Sequence, residues 1–143
     1  DYAHTPDALM NVLKTIADIR TGNEKVICVV GCGGDRDVGK RPLMAQFACQ
    51  LSDQVILTSD NPRTENQINI VNDILKGIKD RNKIDVDIDR YCAIKKAIKL
   101  GKSNDIVLIA GKGHENYQIF KNKTIDFDDK VIASDLLIEK LNL

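Results

Sequence analysis

The sequence lacks a net charge, because 21 lysine and arginine residues balance 21 aspartate and glutamate residues along its 143 positions. No field of one sign is available to attract nucleic acid or an anionic membrane surface, so we expect neither as a partner. The sequence also lacks an apolar run near the ~18 residues of a membrane-spanning helix, and it does not open like a signal peptide. We expect a cytoplasmic monomer.

Paired cysteines are missing as well. The four cysteines, at positions 28, 32, 49 and 92, do not show the C-x-x-C spacing of a zinc site. Cys28 falls in an apolar, strand-like run, and Cys49 falls on the apolar face of a predicted helix. This pattern predicts reduced thiols that pack as small hydrophobic side chains, and it predicts no metal site.

What the chain does have is the composition of an ordinary globular protein, with 43% hydrophobic and 29% charged residues. Its length suits one domain with a core of its own, so we treat residues 1–143 as a single domain. The first residue is Asp1 rather than methionine, and it stands in a dense polar motif. We therefore expect the chain to be a piece of a longer polypeptide.

The periodicity of apolar residues predicts alternating strands and helices. Runs rich in β-branched residues predict strands at 25–30, 54–60 and 105–111, with a short edge strand at 84–89. Helices are predicted at 5–20, 42–51, 68–78, 89–101 and 129–141, with Thr5 and Asp89 as N-caps and a hairpin-like stretch before the last helix. The pattern predicts an α/β fold: a Rossmann-like, three-layer domain whose mostly parallel sheet carries helices on both faces.

Polar, glycine-rich clusters follow three of the predicted strands. They are GCGGDRD (31–37), SDNPRTE (59–65) and AGKGHE (110–115). Ligands of parallel sheets bind at the carboxyl ends of strands, where such loops converge. Any one cluster alone is typical of an ordinary turn, but the three together predict one shared pocket.

The first cluster looks like a phosphate-binding loop with the wrong residues. It has the G-x-x-x-x-G-K spacing from Gly34 to Lys40, but Arg41 stands where a hydroxyl would hold Mg²⁺. Two aspartates inside the loop would repel a triphosphate, and Arg36 replaces the third glycine of a dinucleotide fingerprint. The mixture of Arg36, Lys40 and Arg41 with two acids is better suited to a zwitterion.

The other two clusters continue this theme. Arg63 presents a planar fork that can bind a carboxylate through two parallel hydrogen bonds, and Asn61 offers both a donor and an acceptor. Gly111 permits close backbone approach, while Glu115 can accept an ammonium group. The alternative for Arg63 is a surface side chain in a proline-containing turn. His4 and His114 are ambiguous when each is taken alone, although an uncharged imidazole can stack on a base.

Together, four motifs resemble the C-terminal domain of the Mur ligases, and most closely the MurE branch. The motifs are DYAHTPDAL (1–9), GCGGDRDVGKRPLM (31–44), SDNPRTE (59–65) and AGKGHENYQ (110–118). The resemblance implies a cytoplasmic three-domain ligase that uses ATP and Mg²⁺ to phosphorylate the D-glutamyl carboxylate of UDP-N-acetylmuramoyl-L-alanyl-D-glutamate. The amine of an incoming amino acid then attacks the acyl phosphate.

The resemblance also implies a division of labour. The family's P-loop and its carbamylated lysine belong to the central domain, so this chain is expected to hold no catalytic residue and no metal ligand, and to be inactive alone. It is expected to bind the incoming amino acid and to close over the nucleotide. By resemblance, the amino acid is held by Arg36, Asp60, Asn61, Arg63, Gly111 and Glu115, and the nucleotide lies near Tyr2, His4 and Asp1, with Asp1 near the ribose.

The expected substrate is meso-diaminopimelate, which is lysine with a second carboxylate at its far end. Arg36 and Arg63 can neutralise that carboxylate, whereas lysine would leave a partly buried guanidinium unpaired, at a cost on the order of 2–5 kcal/mol. Alternatives are a lysine-adding Mur ligase, a non-catalytic amino-acid-binding module, and a relative of the folylpolyglutamate synthetases, for which the combination of DNPR (60–63) with GCGGDRD (31–37) is a poor match.

Overall fold

The structure is a computed structural model that describes residues 2–142, which form a four-stranded parallel sheet, helices on both of its faces, and a separate hairpin. In chain order the elements are α1 (Pro6–Ile19), β1 (Val26–Val30), α2 (Arg41–Leu51), β2 (Gln54–Leu57), α3 (Gln67–Leu75), β3 (Ile84–Val86), α4 (Arg90–Leu100), β4 (Ile106–Ile109), β5 (Tyr117–Ile119), β6 (Thr124–Asp126) and α5 (Asp129–Leu141). The predicted fold class is confirmed.

The order of the strands decides where loops meet. The sheet runs β3-β2-β1-β4, and every neighbouring pair is parallel. The chain therefore moves from β1 outward through β2 to β3, and then returns to β4 on the other side of β1. This reversal of direction creates a crevice at the carboxyl ends of β1 and β4, where open α/β sheets bind their ligands.

Strand β1 packs against both helical layers, and this explains why none of its residues is polar. Val26, Cys28 and Val30 belong to the core beneath α1, α2 and α3. Ile27 and Val29 belong to the second core, beneath α4 and α5. Because successive side chains of a strand point to opposite faces, all five residues are buried.

Two predicted helix caps are confirmed. The Thr5 hydroxyl accepts a hydrogen bond from the Ala8 N–H at 3.2 Å, and Pro6 occupies the first position of α1. The Asp89 carboxylate accepts one from the Cys92 N–H at 3.1 Å at the start of α4. Each side chain satisfies a backbone donor that the first turn of a helix leaves unpaired.

The strands end earlier than the sequence predicts. The predicted strand 54–60 stops at Leu57, and the predicted strand 105–111 stops at Ile109. After β4 the chain turns at Gly111, whose φ of +113° is incompatible with an extended strand. The residues that leave the sheet in this way form the loops of the crevice.

None of the helices formed by residues 2–142 has the length and apolarity needed to cross a bilayer.

Candidate functional site

An open cleft of about 520 Å³ occupies the crevice at the carboxyl ends of β1, β2 and β4. The structure brings together there every predicted site residue that it describes: Tyr2, His4, Arg36, Asp60, Asn61, Arg63, Gly111 and Glu115. Asp1 lies outside the described residues. Cys32, Met44 and Tyr117 also line the cleft, and the sequence did not single them out.

The loops after β1 and β2 are in direct contact at one wall of the cleft. The Gly34 N–H donates to the Asn61 carbonyl oxygen at 2.7 Å. A Cβ at position 34 would overlap the Pro62 carbonyl oxygen, so only glycine permits this approach. The two predicted motifs therefore form one wall.

Three main-chain donors of the loop after β1, which has the spacing of a phosphate loop, are engaged within the protein. The Asp35 N–H donates to Glu65 at 2.7 Å, and the Gly39 N–H donates to the Asp37 carboxylate at 3.0 Å. The Lys40 N–H donates to the Asp37 carbonyl oxygen. A phosphate loop must keep such groups free, so the loop is not a degenerate P-loop.

Arg41 also lines the cleft, but most of its donors are engaged within the protein, so its share in binding a zwitterion stays a prediction. Its side chain is buried, and it donates to both oxygens of Glu65 at 2.8 and 2.9 Å, to Asp73 at 3.0 Å and to the Gly33 carbonyl oxygen at 3.1 Å. The hydrogen bond to Arg41 lowers the pKa of Glu65. Arg41 thus joins the loop after β1 to α3.

Arg36 and Arg63 line the cleft and differ from Arg41 because most of their donors are unpaired among residues 2–142. One nitrogen of Arg63 donates to the Gly34 carbonyl oxygen at 2.9 Å, and one nitrogen of Arg36 donates to the Asp35 carbonyl oxygen at 3.0 Å. The remaining guanidinium nitrogens have no acceptor among residues 2–142. Arg63 is half-buried and takes a φ of 53°, a conformation that non-glycine residues rarely adopt. Strained residues of this kind cluster at ligand sites.

A buried ammonium group supports the floor of the cleft. Lys112 Nζ is fully buried and lies 2.8 Å from Asn61 Oδ1, 2.8 Å from the Tyr117 carbonyl oxygen and 3.1 Å from Asp60 Oδ1. Burial lowers the pKa of Lys112, and the negative charge of Asp60 opposes this effect. The Ile119 N–H donates to Asn61 Oδ1 as well, at 3.0 Å.

Acidic groups and glycine complete the opposite wall. The Tyr117 hydroxyl donates to Glu115 at 3.1 Å, and this hydrogen bond raises the pKa of Tyr117. A Cβ at position 111 would lie 3.4 Å from Asp60 Oδ2, so glycine leaves this carboxylate uncovered on the side of the cleft. Two carboxylates and two guanidinium groups thus line one recess.

An aromatic cluster forms one end of the cleft. The Tyr2 ring lies 4.9 Å from the His4 ring, edge to face, and it stacks on the His114 ring at 5.8 Å. A Cβ at Gly113, whose φ is +56°, would collide with Tyr2. Tyr2 remains half-exposed, so its face can accept another flat ring.

The comparison with protein families decides which family this is. The family described as "Mur ligase, glutamate ligase domain" matches residues 1–113. The chain belongs to this family. The matched residues include the loops after β1 and β2 in full. They include the loop after β4 as far as Gly113, but not Glu115.

Named relatives of this Mur ligase domain share a substrate in their names. A UDP-N-acetylmuramoyl-L-alanyl-D-glutamate–2,6-diaminopimelate ligase of Prochlorococcus marinus subsp. pastoris is 59% identical over 98% of the chain, and one of Clostridium tetani is 52% identical over 97%. The chain spans only 27% and 28% of their lengths.

Solved structures agree with the fold. A structure of a ligase with the same name matches 99% of the chain at a TM-score of 0.91 and 48% identity, and the match covers 29% of that protein. A bifunctional folylpolyglutamate synthase/dihydrofolate synthase from Yersinia pestis matches at a TM-score of 0.59 with 17% identity. The second likeness concerns the fold alone.

Sequence reasoning missed two buried cations of this Mur ligase domain, Lys112 and Arg90. Arg90 holds both oxygens of Asp129 at 2.7 and 2.8 Å, and it also donates to the carbonyl oxygens of Ser59 and Ala110. It therefore ties the ends of β2 and β4 to the start of α5.

Residues 2–142 contain no group of three or more histidine, cysteine, aspartate or glutamate side chains that could hold a metal ion.

Proposed function

We propose that the chain is the amino-acid-binding domain of an ATP-dependent ligase that joins meso-diaminopimelate to UDP-N-acetylmuramoyl-L-alanyl-D-glutamate in peptidoglycan biosynthesis. The observation that carries the proposal is the convergence of Arg36 and Arg63, from two different strand-end loops, on one cleft that also contains Asp60 and Glu115. The names of the similar ligases support the same substrate pair.

The charges of the cleft are complementary to those of diaminopimelate, which has one ammonium and one carboxylate at each end. The free donors of Arg36 and Arg63 can take the distal carboxylate, since a guanidinium binds a carboxylate through a planar fork. Asp60 and Glu115 can accept an ammonium group, and Asn61 can donate to a carboxylate. The chain would hold the amino acid so that its amine reaches the activated carboxylate of the other substrate.

ATP would supply the phosphoryl group that activates the D-glutamyl carboxylate. The half-exposed ring of Tyr2, with His4 beside it, is suited to a nucleotide base. The triphosphate and Mg²⁺ are expected to be bound mainly by other parts of the full-length ligase, because the loop amides are engaged and residues 2–142 offer no metal cluster. The isolated chain should therefore form no product.

The decisive experiment compares diaminopimelate with lysine in one assay of the full-length ligase, with the isolated chain assayed in parallel. Loss of the distal carboxylate should cost on the order of 2–5 kcal/mol, so we expect diaminopimelate to be used tens to thousands of times more efficiently. Preferred use of lysine would identify a lysine-adding ligase. No use of either, with amino-acid binding retained, would identify a non-catalytic module. Turnover by the isolated chain would contradict the division of labour proposed above.

A further inference from the structure

We propose that Lys112 is a positioning residue that sets the hydrogen-bonding polarity of the diaminopimelate site. This inference rests on the proposed function, because it concerns the way Asn61 and Asp60 are presented to the substrate. Lys112 is fully buried and lines no part of the cleft, so it does not touch the substrate itself.

The first step of the argument is the orientation of the Asn61 amide. Two donors converge on its oxygen: Lys112 Nζ at 2.8 Å and the Ile119 N–H at 3.0 Å. An ammonium and a backbone N–H can only donate, so the amide oxygen must face them. The Asn61 NH₂ group is therefore directed away from Lys112, and it has no acceptor among residues 2–142. Since Asn61 lines the cleft, this group is the donor left for a ligand carboxylate.

The second step is the charge of Asp60. This carboxylate is 7% exposed, and its partner is Lys112 at 3.1 Å. A carboxylate buried without a partner is costly, so the ammonium allows Asp60 to stand charged beside the cleft. One buried cation thus holds a donor and an acceptor in place on neighbouring residues of the same loop.

The third step is that no cation among residues 2–142 other than Lys112 forms a hydrogen bond or an ion pair with the side chain of Asn61 or Asp60. The Lys112 ammonium donates to Asn61 Oδ1 and to the Tyr117 carbonyl oxygen, and it forms an ion pair with Asp60. These partners come from the loop after β2 and from β5. Without this cation the Asn61 amide would be held by the Ile119 N–H alone. It could then turn its oxygen toward the cleft, where it would repel a carboxylate.

The test is a double-mutant cycle in the full-length ligase with Lys112→Met, which is similar in length but uncharged, and Asn61→Ala. We expect each single variant to raise KM for diaminopimelate at least tenfold and to leave KM for ATP within twofold. Lys112 is proposed to act largely through Asn61. The KM of the double variant for diaminopimelate should therefore be at most about twofold higher than that of the single variant with the higher KM. Effects that multiply, or equal changes in both KM values, would overturn the proposal. Lys76→Met, an exposed lysine on the end of α3, is the matched control and should change nothing.

A second variant keeps the proposal testable if Lys112→Met does not fold. Asn61→Asp retains acceptors for Lys112 and for the Ile119 N–H, but it presents a negative oxygen to the cleft instead of an NH₂ group. We expect it to fold with a melting temperature at or above that of the wild type and to raise KM for diaminopimelate at least tenfold. Wild-type use of diaminopimelate by Asn61→Asp would overturn the proposal. A wild-type ligase that ignores diaminopimelate would instead refute the proposed function, because that comparison involves no variant.

Discussion

The molecule contains two groups of basic side chains near the cleft, which differ in whether their donors are paired within the protein. Arg41, Arg90 and Lys112 are buried, and each is bound to carboxylates and carbonyl oxygens of the protein. Arg36 and Arg63 line the cleft, and in each only one nitrogen donates to backbone carbonyl oxygens of residues 2–142. The difference teaches that a basic residue in a polar loop indicates a ligand only when the protein leaves its donors unpaired.

The largest effect should come from breaking a buried cation. Removing one partner of a buried ion pair leaves the other charge unpaired, at a cost of about 3–5 kcal/mol. We expect Arg90→Met to lower the free energy of unfolding by this amount, because Asp129 loses two hydrogen bonds and two strand ends lose their link to α5. Chemical denaturation of the chain would measure the change.

The control for this variant is a cation on the surface. Arg20 pairs with Asp53 at 3.4 Å, and both side chains are substantially exposed. Such pairs contribute about 0–1 kcal/mol. If Arg20→Ala destabilised the chain as much as Arg90→Met, burial would not be what distinguishes the two groups.

The next effect should appear in activity rather than stability. Arg63→Ala should reduce kcat/KM for diaminopimelate by a factor that corresponds to about 2–5 kcal/mol, with KM for ATP unchanged, since the variant removes donors proposed to bind the substrate carboxylate. Arg63→Lys should also have a low kcat/KM for diaminopimelate, because an ammonium group cannot reproduce the planar fork of a guanidinium. Steady-state kinetics of the full-length ligase with each substrate varied in turn provides the measurement. Equal losses for both substrates would argue against a role in binding the amino acid.

A smaller loss of activity is expected when Arg36 and Arg63 are retained but the loop after β1 is displaced relative to the loop after β2. Gly34→Ala would push the loop after β1 away from the Pro62 carbonyl oxygen. A displacement near 1 Å at a site of this kind can cost about 100-fold in rate. Kinetics with diaminopimelate would detect it, and Gly22→Ala, where the added methyl group meets nothing closer than 3.8 Å, should behave like the wild type.

The smallest effect concerns pH. The hydrogen bond to Arg41 lowers the pKa of Glu65 from its ordinary value of 4.5, so this carboxylate contributes stability above about pH 4.5 and loses it as the pH falls through the lowered value. The stability difference between wild type and Glu65→Gln should therefore shrink between about pH 5 and pH 3. Denaturation at several pH values would show this, and a stability difference that stays constant from about pH 7 to about pH 3 would contradict it.

The sequence predicted the scaffold well because its signals are local. Thr5 and Asp89 cap helices through contacts three residues away, and the apolar run of β1 follows from burial on both faces. The position of the cleft also followed, because carboxyl ends of parallel strands must share one edge. That Arg36 and Arg63 bind diaminopimelate stays a prediction.

The buried network could not be predicted in the same way. Arg90 meets Asp129 39 residues later, and Lys112 meets Asn61 51 residues earlier. Nothing in the motif AGKGHE distinguishes a lysine that turns inward from one that faces a ligand. The ion pairs of Arg41 could not be predicted for the same reason, since its partners Glu65 and Asp73 lie on another loop and another helix.

The contact between Tyr2 and Gly113 has a consequence for how the two proposed ligands influence each other. Tyr2 lies against the loop that also contains Gly111 and Glu115, so a nucleotide that settles on this ring would restrict the motion of a segment that faces the amino acid. If this restriction strengthens the binding of the amino acid, thermodynamic reciprocity requires the amino acid to strengthen nucleotide binding by the same factor. The cooperativity between the two ligands would then depend on the contact between Tyr2 and Gly113.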